Sequence, residues 1–382
     1  MGRVKDDWME AEDRGWDEVD KFVCSDCVNE PELWRLAVGH ETRAQCDYCL
    51  CEDKSVLPVS GIQEILYSVM GAYYAEPAQA GTPYDEGAYI VEPIDTDEVL
   101  GNLGFDPAPN LLEDILEADI IGAWVPAANS HWADSHEHQM KLGCWFNFAH
   151  IVKHQTRFHF QRMIGDHHFH EIEVADMLEV VAKELTPLVR SVETGTRVYR
   201  ARHLTDAEID AIDGKMMGAP PQEHTTAGRM NPAGIPYFYA SHDAQTALQE
   251  LGAPQIRKTP VVGAFVANRS LRVIDLTQLP IQPSIFAIDL KDTREKAMFL
   301  CGFVESITQP VRKDGQEHID YVPSQVVCEY LAQAFFIEEG VPLDGLIFPS
   351  AIHTGGINLV IFPSGQWFEP HRFSSLDFVG IT

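Results

Sequence analysis

Several groups of residues in this chain have the types and spacing to do chemistry. The first is a pair of CxxC turns, Cys24-Ser-Asp-Cys27 and Cys46-Asp-Tyr-Cys49, with eighteen residues between them. Each turn brings two thiolates to one ion and two turns close a tetrahedron, so the spacing fits a four-cysteine zinc site. Four protein ligands leave no open position, so the expected role of the zinc is structural. His40 and Cys51 are alternative ligands, and the competing reading is a set of reduced, buried cysteines.

The second group reads as an anion site. Arg200 and Arg202 alternate along a strand-like stretch and so face one side. Arg229 sits in a Gly-rich turn ahead of a stretch carrying Tyr237 and Tyr239, and Glu250 comes eleven residues after Tyr239. Glu250 is set among Ala244, Ala247, Leu248 and Leu251, where a carboxylate needs a partner or a purpose. The plain alternative is an ion pair with a strand arginine. Ser350 closes the apolar run LIFPS, at a strand end, where ligand-binding residues often sit.

The third group is histidine-rich. Nine of the sixteen histidines fall between His131 and His170. His150 and His154 are four apart and share a helix face, but no HExxH and no carboxylate at ligand spacing joins them, so a polar helix surface is the simpler reading.

These residues need elements to hold them. Residues 1–20 read as an amphipathic helix with Trp8 and Trp16 as core residues. Residues 60–75, 111–121 and 136–190 read as helices, the last broken near Gly165. From 196 the pattern changes to strands at 196–203, 234–241, 261–267, 272–276, 343–350 and 357–363. A short helix is expected at 241–252 with Ser241 as N-cap, and a long apolar one at 322–340. The strands at 261–267 and 272–276 look paired. The fold class is α+β: a mainly helical domain over 1–190 carrying a small zinc knob at 21–52, then a mixed sheet with helices over 195–382. Neither GxGxxG nor a P-loop is present.

The net charge is −30, from 28 basic and 58 acidic residues. Such a surface repels phosphate backbones and anionic lipid, so a general nucleic-acid or membrane binder is not expected, and an anion site must be locally basic. The stretch MGRVKDDWMEAEDRG has no apolar segment of a secretory signal, and Asp6 breaks the myristoylation pattern at Gly2. No apolar run approaches the ~18 residues of a membrane span. A cytoplasmic protein is expected, which favours metal over disulfides for the crowded cysteines. Cys144, Cys301 and Cys328 read as small buried apolar residues.

Taken in order, VYRAR, GRMNPAGIPYFYAS, TALQE and GLIFPSA resemble the RES domain, over about 196 to 365. The resemblance implies an ADP-ribosyltransferase-like fold and cleavage of NAD⁺ at its nicotinamide–ribose bond, by hydrolysis or phosphorolysis. It implies that Arg200 and Arg229 bind the pyrophosphate and that Tyr239 lies against the nicotinamide or its ribose. It further implies that Glu250 stabilises the oxocarbenium-like transition state and that Ser350 hydrogen-bonds the dinucleotide. NAD⁺ would be consumed as substrate, with Glu250, Arg229 and Tyr239 as the catalytic set. The bulky aromatic often found after the GR pair is Met230 here, which puts the packing of the pocket in question. The cysteine-rich, helical N-terminal half resembles the extension of longer RES proteins, which is grouped with HEPN domains. Arg162-Met-Ile-Gly-Asp-His167 resembles the R-x4-6-H pattern of HEPN ribonucleases, and His168 fits it too. By the same resemblance, a homodimer and a protein antitoxin or regulator are expected partners, and nucleic acid is left open. Three other functions compete: ADP-ribosylation of a protein, a ribonuclease run by Arg162 and His167, and a catalytically inactive NAD⁺ sensor.

Overall fold

The computed structural model describes residues 2–37, 45–159, 172–311, 315–338, 341–363 and 375–382. The chain forms two compact units, Met1–Gln139 with Gln282–Lys296, and Met140–Ile281 with Ala297–Thr382.

The first unit is built on helices and short strand pairs. Helix α1 covers Gly2–Arg14. Trp8 is 59% exposed while Trp16 is 6% exposed, so only the second tryptophan is core. The expectation for the pair fails because Gly15 takes φ +85 and ends the helix, which removes Trp16 from the helical spacing. Helix α2, Val59–Tyr73, buries Ile62, Leu66, Val69 and Met70 at helical spacing. They join Val23, Leu33, Leu57, Leu100 and Ile115 in one core, which also takes in Cys24, Cys27 and Cys46.

The second unit holds an eight-stranded sheet. Its strands in chain order are β1 Val189–Val192, β2 Arg197–Leu204, β3 Phe238–Ser241, β4 Thr259–Ala267, β5 Leu271–Asp275, β6 Gly345–Pro349, β7 Ile357–Ile361 and β8 Leu376–Ile381. Their spatial order is β8-β4-β2-β3-β7-β6-β5-β1. The pairs are antiparallel except β5 with β6, which runs parallel. This is the expected α+β, mixed-sheet class. The two strands that looked paired, 261–267 and 272–276, are not neighbours: β4 lies between β8 and β2, and β5 between β6 and β1. Apolar runs identify strands but carry no record of their partners.

The helices of this unit are most of α3 (Glu137–His154), α4 (Met177–Leu185), α5 (Ala244–Glu250), much of α6 (Lys291–Thr308) and α7 (Val322–Gln333). Trp145 and Phe148 of α3, Leu178 and Val181 of α4, and Phe299 and Phe303 of α6 share a core with Leu346, Phe348 and Val360 of the sheet. The neighbours Ile347, Leu359 and Ile361 face the opposite core, as period-two alternation requires. The compact unit therefore begins at Met140, whereas the sequence suggested a break at 190–195, because α3 and α4 bury their apolar stripes in the sheet's own core.

Other elements are shorter than expected. The run 171–190 gives α4, a 3-10 turn at Thr186–Leu188 and strand β1. The long helix ends at Gln333 and is followed by a short strand, Phe336–Glu338. The N-cap of α5 is Asp243, whose side chain accepts from the Thr246 amide, while Ser241 ends β3. Cys144 and Cys328 are buried as expected, but Cys301 is exposed.

Candidate active site and metal centre

The cleft is built where β2, β3, β7 and α5 come together. Strand β2 carries Arg200, whose Nη1 donates to the Tyr239 carbonyl at 2.8 Å and whose guanidinium lies 5.2 Å from the Phe238 ring centre. Arg202, two residues on, donates from Nη2 to the Gly218 carbonyl at 2.9 Å. The Nε atoms of both arginines are buried without a partner, and neither guanidinium has a carboxylate within ion-pair distance among the described residues. Burial, with Arg202 beside it, pulls the Arg200 pKa down to about 9, so it stays cationic at neutral pH. Burial lowers Arg202 and Arg229 as well. Half-buried cations without a carboxylate partner favour an anion beside them.

Arg229 is presented by a tightly tied loop. The Gln325 side chain donates to the Gly228 and Asn231 carbonyls at 2.8 and 3.0 Å, and Ser324 Oγ donates to the Arg229 carbonyl at 2.6 Å. The Tyr239 hydroxyl donates to Asn231 Oδ1 at 2.8 Å and accepts from the Met230 amide at 3.1 Å. A Cβ on Gly228 would lie 2.6 Å from Asn231 Oδ1 and 3.0 Å from the Tyr239 oxygen, so only glycine fits beneath that bond. Arg229 itself donates from Nη1 to the Thr308 carbonyl. Met230 does not line the cleft: it is fully buried, with its sulfur 3.5 Å from Cys328 Sγ.

Glu250 ends α5. Its Oε1 accepts from Ser350 Oγ at 2.6 Å and from Asn358 Nδ2 at 2.7 Å, and Asn358 Oδ1 accepts from Ser241 Oγ at 2.7 Å. Both donors are neutral, and no ion pair to Glu250 occurs among the described residues, so the carboxylate is not spent on a strand arginine. The Ser350 hydroxyl also accepts from the amides of Ile352 and His353 at 3.2 and 2.9 Å. It is thus committed to Glu250 and its own turn.

A cleft of about 470 Å³ brings Arg200, Arg229, Tyr239 and Glu250 together with Tyr199, Ser241, Tyr321 and Asn358. Of the expected site residues, Ser350 stands one bond behind the wall. Sequence reasoning missed Asn358, Ser241 and Tyr321. Asn358 had a signal: it is a polar residue in the apolar run INLVI, only 6% exposed, and a buried amide must be bonded. Tyr321 had none.

The four cysteines lie in the first unit. Phe22–Cys24 pairs as a strand with Val56–Pro58 and leads into the helical turn Ser25–Val28, which places Cys24 and Cys27 on one corner. Cys46–Cys49 forms the facing turn. Cys24 Sγ is 3.6 Å from Cys49 Sγ, Cys46 Sγ is 3.8 Å from Cys27 Sγ, and all four lie within 4.8 Å of one another. Zinc–sulfur bonds of about 2.3 Å in a tetrahedron give S–S edges of about 3.8 Å, so the set fits one such ion. Burial pushes the Cys24 and Cys27 thiols up. Burial acts the same way on Cys46, but the amides of Cys49, Tyr48 and Cys24 draw it down to about 7, as suits a thiolate ligand. Cys51 lies outside this set, and His40 lies outside the described residues.

The rings of His150 and His154 are 5.1 Å apart on exposed helix surface, and no second metal-ligand cluster occurs among the described residues. Arg162, His167 and His168 lie outside the described residues. No described helix is long and apolar enough to cross a membrane.

The sheet-borne cleft thus gathers half-buried arginines and a held carboxylate, an arrangement suited to an anionic ligand. Comparison with known families makes this specific: residues 197–372 match the RES domain and residues 39–166 match HEPN/RES N-terminal domain 1. The chain thus carries a RES domain behind a HEPN-like N-terminal region, and the RES family is associated with NAD-utilising enzymes. No curated protein matches the chain.

Proposed function

We propose that the cleft cleaves NAD⁺ at the nicotinamide–ribose bond, with water or inorganic phosphate as acceptor. The observation that carries this is the sharing of one cleft by two half-buried arginines and a carboxylate held only by neutral donors. Arg200 and Arg229 grip the pyrophosphate, as planar guanidiniums do. The Tyr239 hydroxyl is engaged with its loop, so its ring is the part that meets the nicotinamide ribose.

The chemistry needs few groups. The bond from the ribose carbon to nicotinamide breaks, and its electron pair leaves with the ring nitrogen, which becomes neutral. No general acid is required. Positive charge grows on the ribose, where the Glu250 carboxylate stabilises it and accepts from a ribose hydroxyl through Oε2. The acceptor oxygen then bonds to the same carbon, and a water acceptor loses its proton to Glu250 or to solvent. Ser350 and Asn358 hold Glu250 in place. The four cysteines bind one structural zinc, remote in role from this reaction.

Incubation of the purified protein with NAD⁺, with and without phosphate, tests this. Nicotinamide release is expected, and dependence on phosphate would identify a phosphorylase. NAD⁺ binding without release would make the protein a sensor. Radiolabel from NAD⁺ retained on protein would make it a transferase.

A further inference from the structure

A second compartment of about 330 Å³ adjoins the cleft, lined by Trp145, Phe146, Ala149 and Lys153 of α3 and by Glu305 and Gln309 at the end of α6. Arg229, Val311 and Tyr321 line both spaces, whereas Glu250 lines only the first. We propose that this compartment is the subsite for the adenosine end of the dinucleotide, with α3 as one wall. The proposal rests on the NAD⁺ reading of the cleft.

The order of groups supports it. Glu250 marks the reacting ribose and Arg229 the pyrophosphate, so the space beyond Arg229 falls to the other nucleoside. An acceptor, by contrast, must reach the carbon beside Glu250 and belongs in the first compartment. Phe146 is 55% exposed, an uncovered aromatic on the rim of a pocket, and an aromatic face is what a purine stacks on. Trp145 behind it is fixed by its Nε1 bond to Ser306 Oγ at 2.8 Å. Glu305, Gln309 and Asp320 supply acceptors for an exocyclic amine and ribose hydroxyls, and Lys153 is held to Asp320 at 3.0 Å. Residues 145–153 fall in the stretch that matches HEPN/RES N-terminal domain 1, so that region would contribute directly to the substrate site.

The test is binding of ADP-ribose and of nicotinamide mononucleotide by titration calorimetry, to the native protein, Phe146→Ala and Phe146→Trp. Phe146 is exposed, so its truncation opens no cavity in the core. Phe146→Ala should weaken ADP-ribose about tenfold relative to nicotinamide mononucleotide, a low value for base stacking, and Phe146→Trp should restore it. An unchanged ratio, or binding of neither ligand, would overturn the subsite. ADP-ribose binding that shows this ratio in a protein releasing no nicotinamide would uphold the subsite while the hydrolytic reading failed.

Discussion

Ser350 and Glu250, a hundred residues apart in the chain, are joined by a hydrogen bond of 2.6 Å. The bond matters because Glu250 stands at the C-terminal end of α5, where the helix dipole opposes a negative charge. With Asn358 on the same oxygen, Ser350 keeps the carboxylate aimed. Ser350→Ala should therefore act on the chemical step. We expect kcat for nicotinamide release to fall about tenfold, the cost of one hydrogen bond to a charged group, with KM changed less than about threefold. Steady-state kinetics with circular dichroism on the same samples separates this from misfolding. A rise in KM alone would place Ser350 on the substrate instead.

Tyr239→Phe should act on binding. It deletes the bonds to Asn231 and to the Met230 amide that shape the Arg229 loop. Leaving the buried amide and Asn231 oxygen unpaired costs about 1–3 kcal/mol each. A lower melting temperature and a KM for NAD⁺ raised about tenfold are expected, with kcat nearly kept. A variant with native KM would mean that the loop holds its shape without the phenol.

Much of this was legible in the sequence, and the limits have physical causes. Periodicity located β2, β4, β6, β7 and the body of α7, because burial imposes spacing on residues. It did not find that β4 and β5 part company, since pairing is decided across the sheet. The cysteine pairs were readable because metal geometry is local. Arg200, Arg229, Tyr239 and Glu250 could be placed in one cleft because their ordered motifs resemble those of the RES domain. The task of Ser350 could not, because its partner Glu250 and its co-donor Asn358 lie on other elements. The place of Met230 in the core was equally hidden, since it depends on contact with Cys328 of α7.

Glu329, in α7, predicts a pH effect on stability. Burial raises its pKa above the ordinary 4.5. The folded state thus takes up a proton at a pH where the unfolded chain does not, and stability falls as pH rises through that window. The cost is in full force at pH above the folded value and vanishes below the unfolded one. Glu329→Gln should melt a few degrees higher than the native protein at about pH 8, with the difference shrinking toward about pH 4.5. Parallel melting curves at every pH would contradict this.

Metal analysis of the purified protein should find one zinc per chain. Cys46→Ser should lose it and lower the melting temperature by about 10 °C or more, since structural zinc contributes directly to folding. Retention of zinc at full occupancy in that variant would remove Cys46 from the ligand set.

The most direct test of the account is Glu250→Gln. The amide keeps the size of the side chain but loses the charge that stabilises the cationic ribose. Native protein should release nicotinamide from NAD⁺, and the variant should bind NAD⁺ while releasing it about 10²- to 10³-fold more slowly. Release at the native rate by a folded Glu250→Gln protein would show that the carboxylate is not what drives the bond to break.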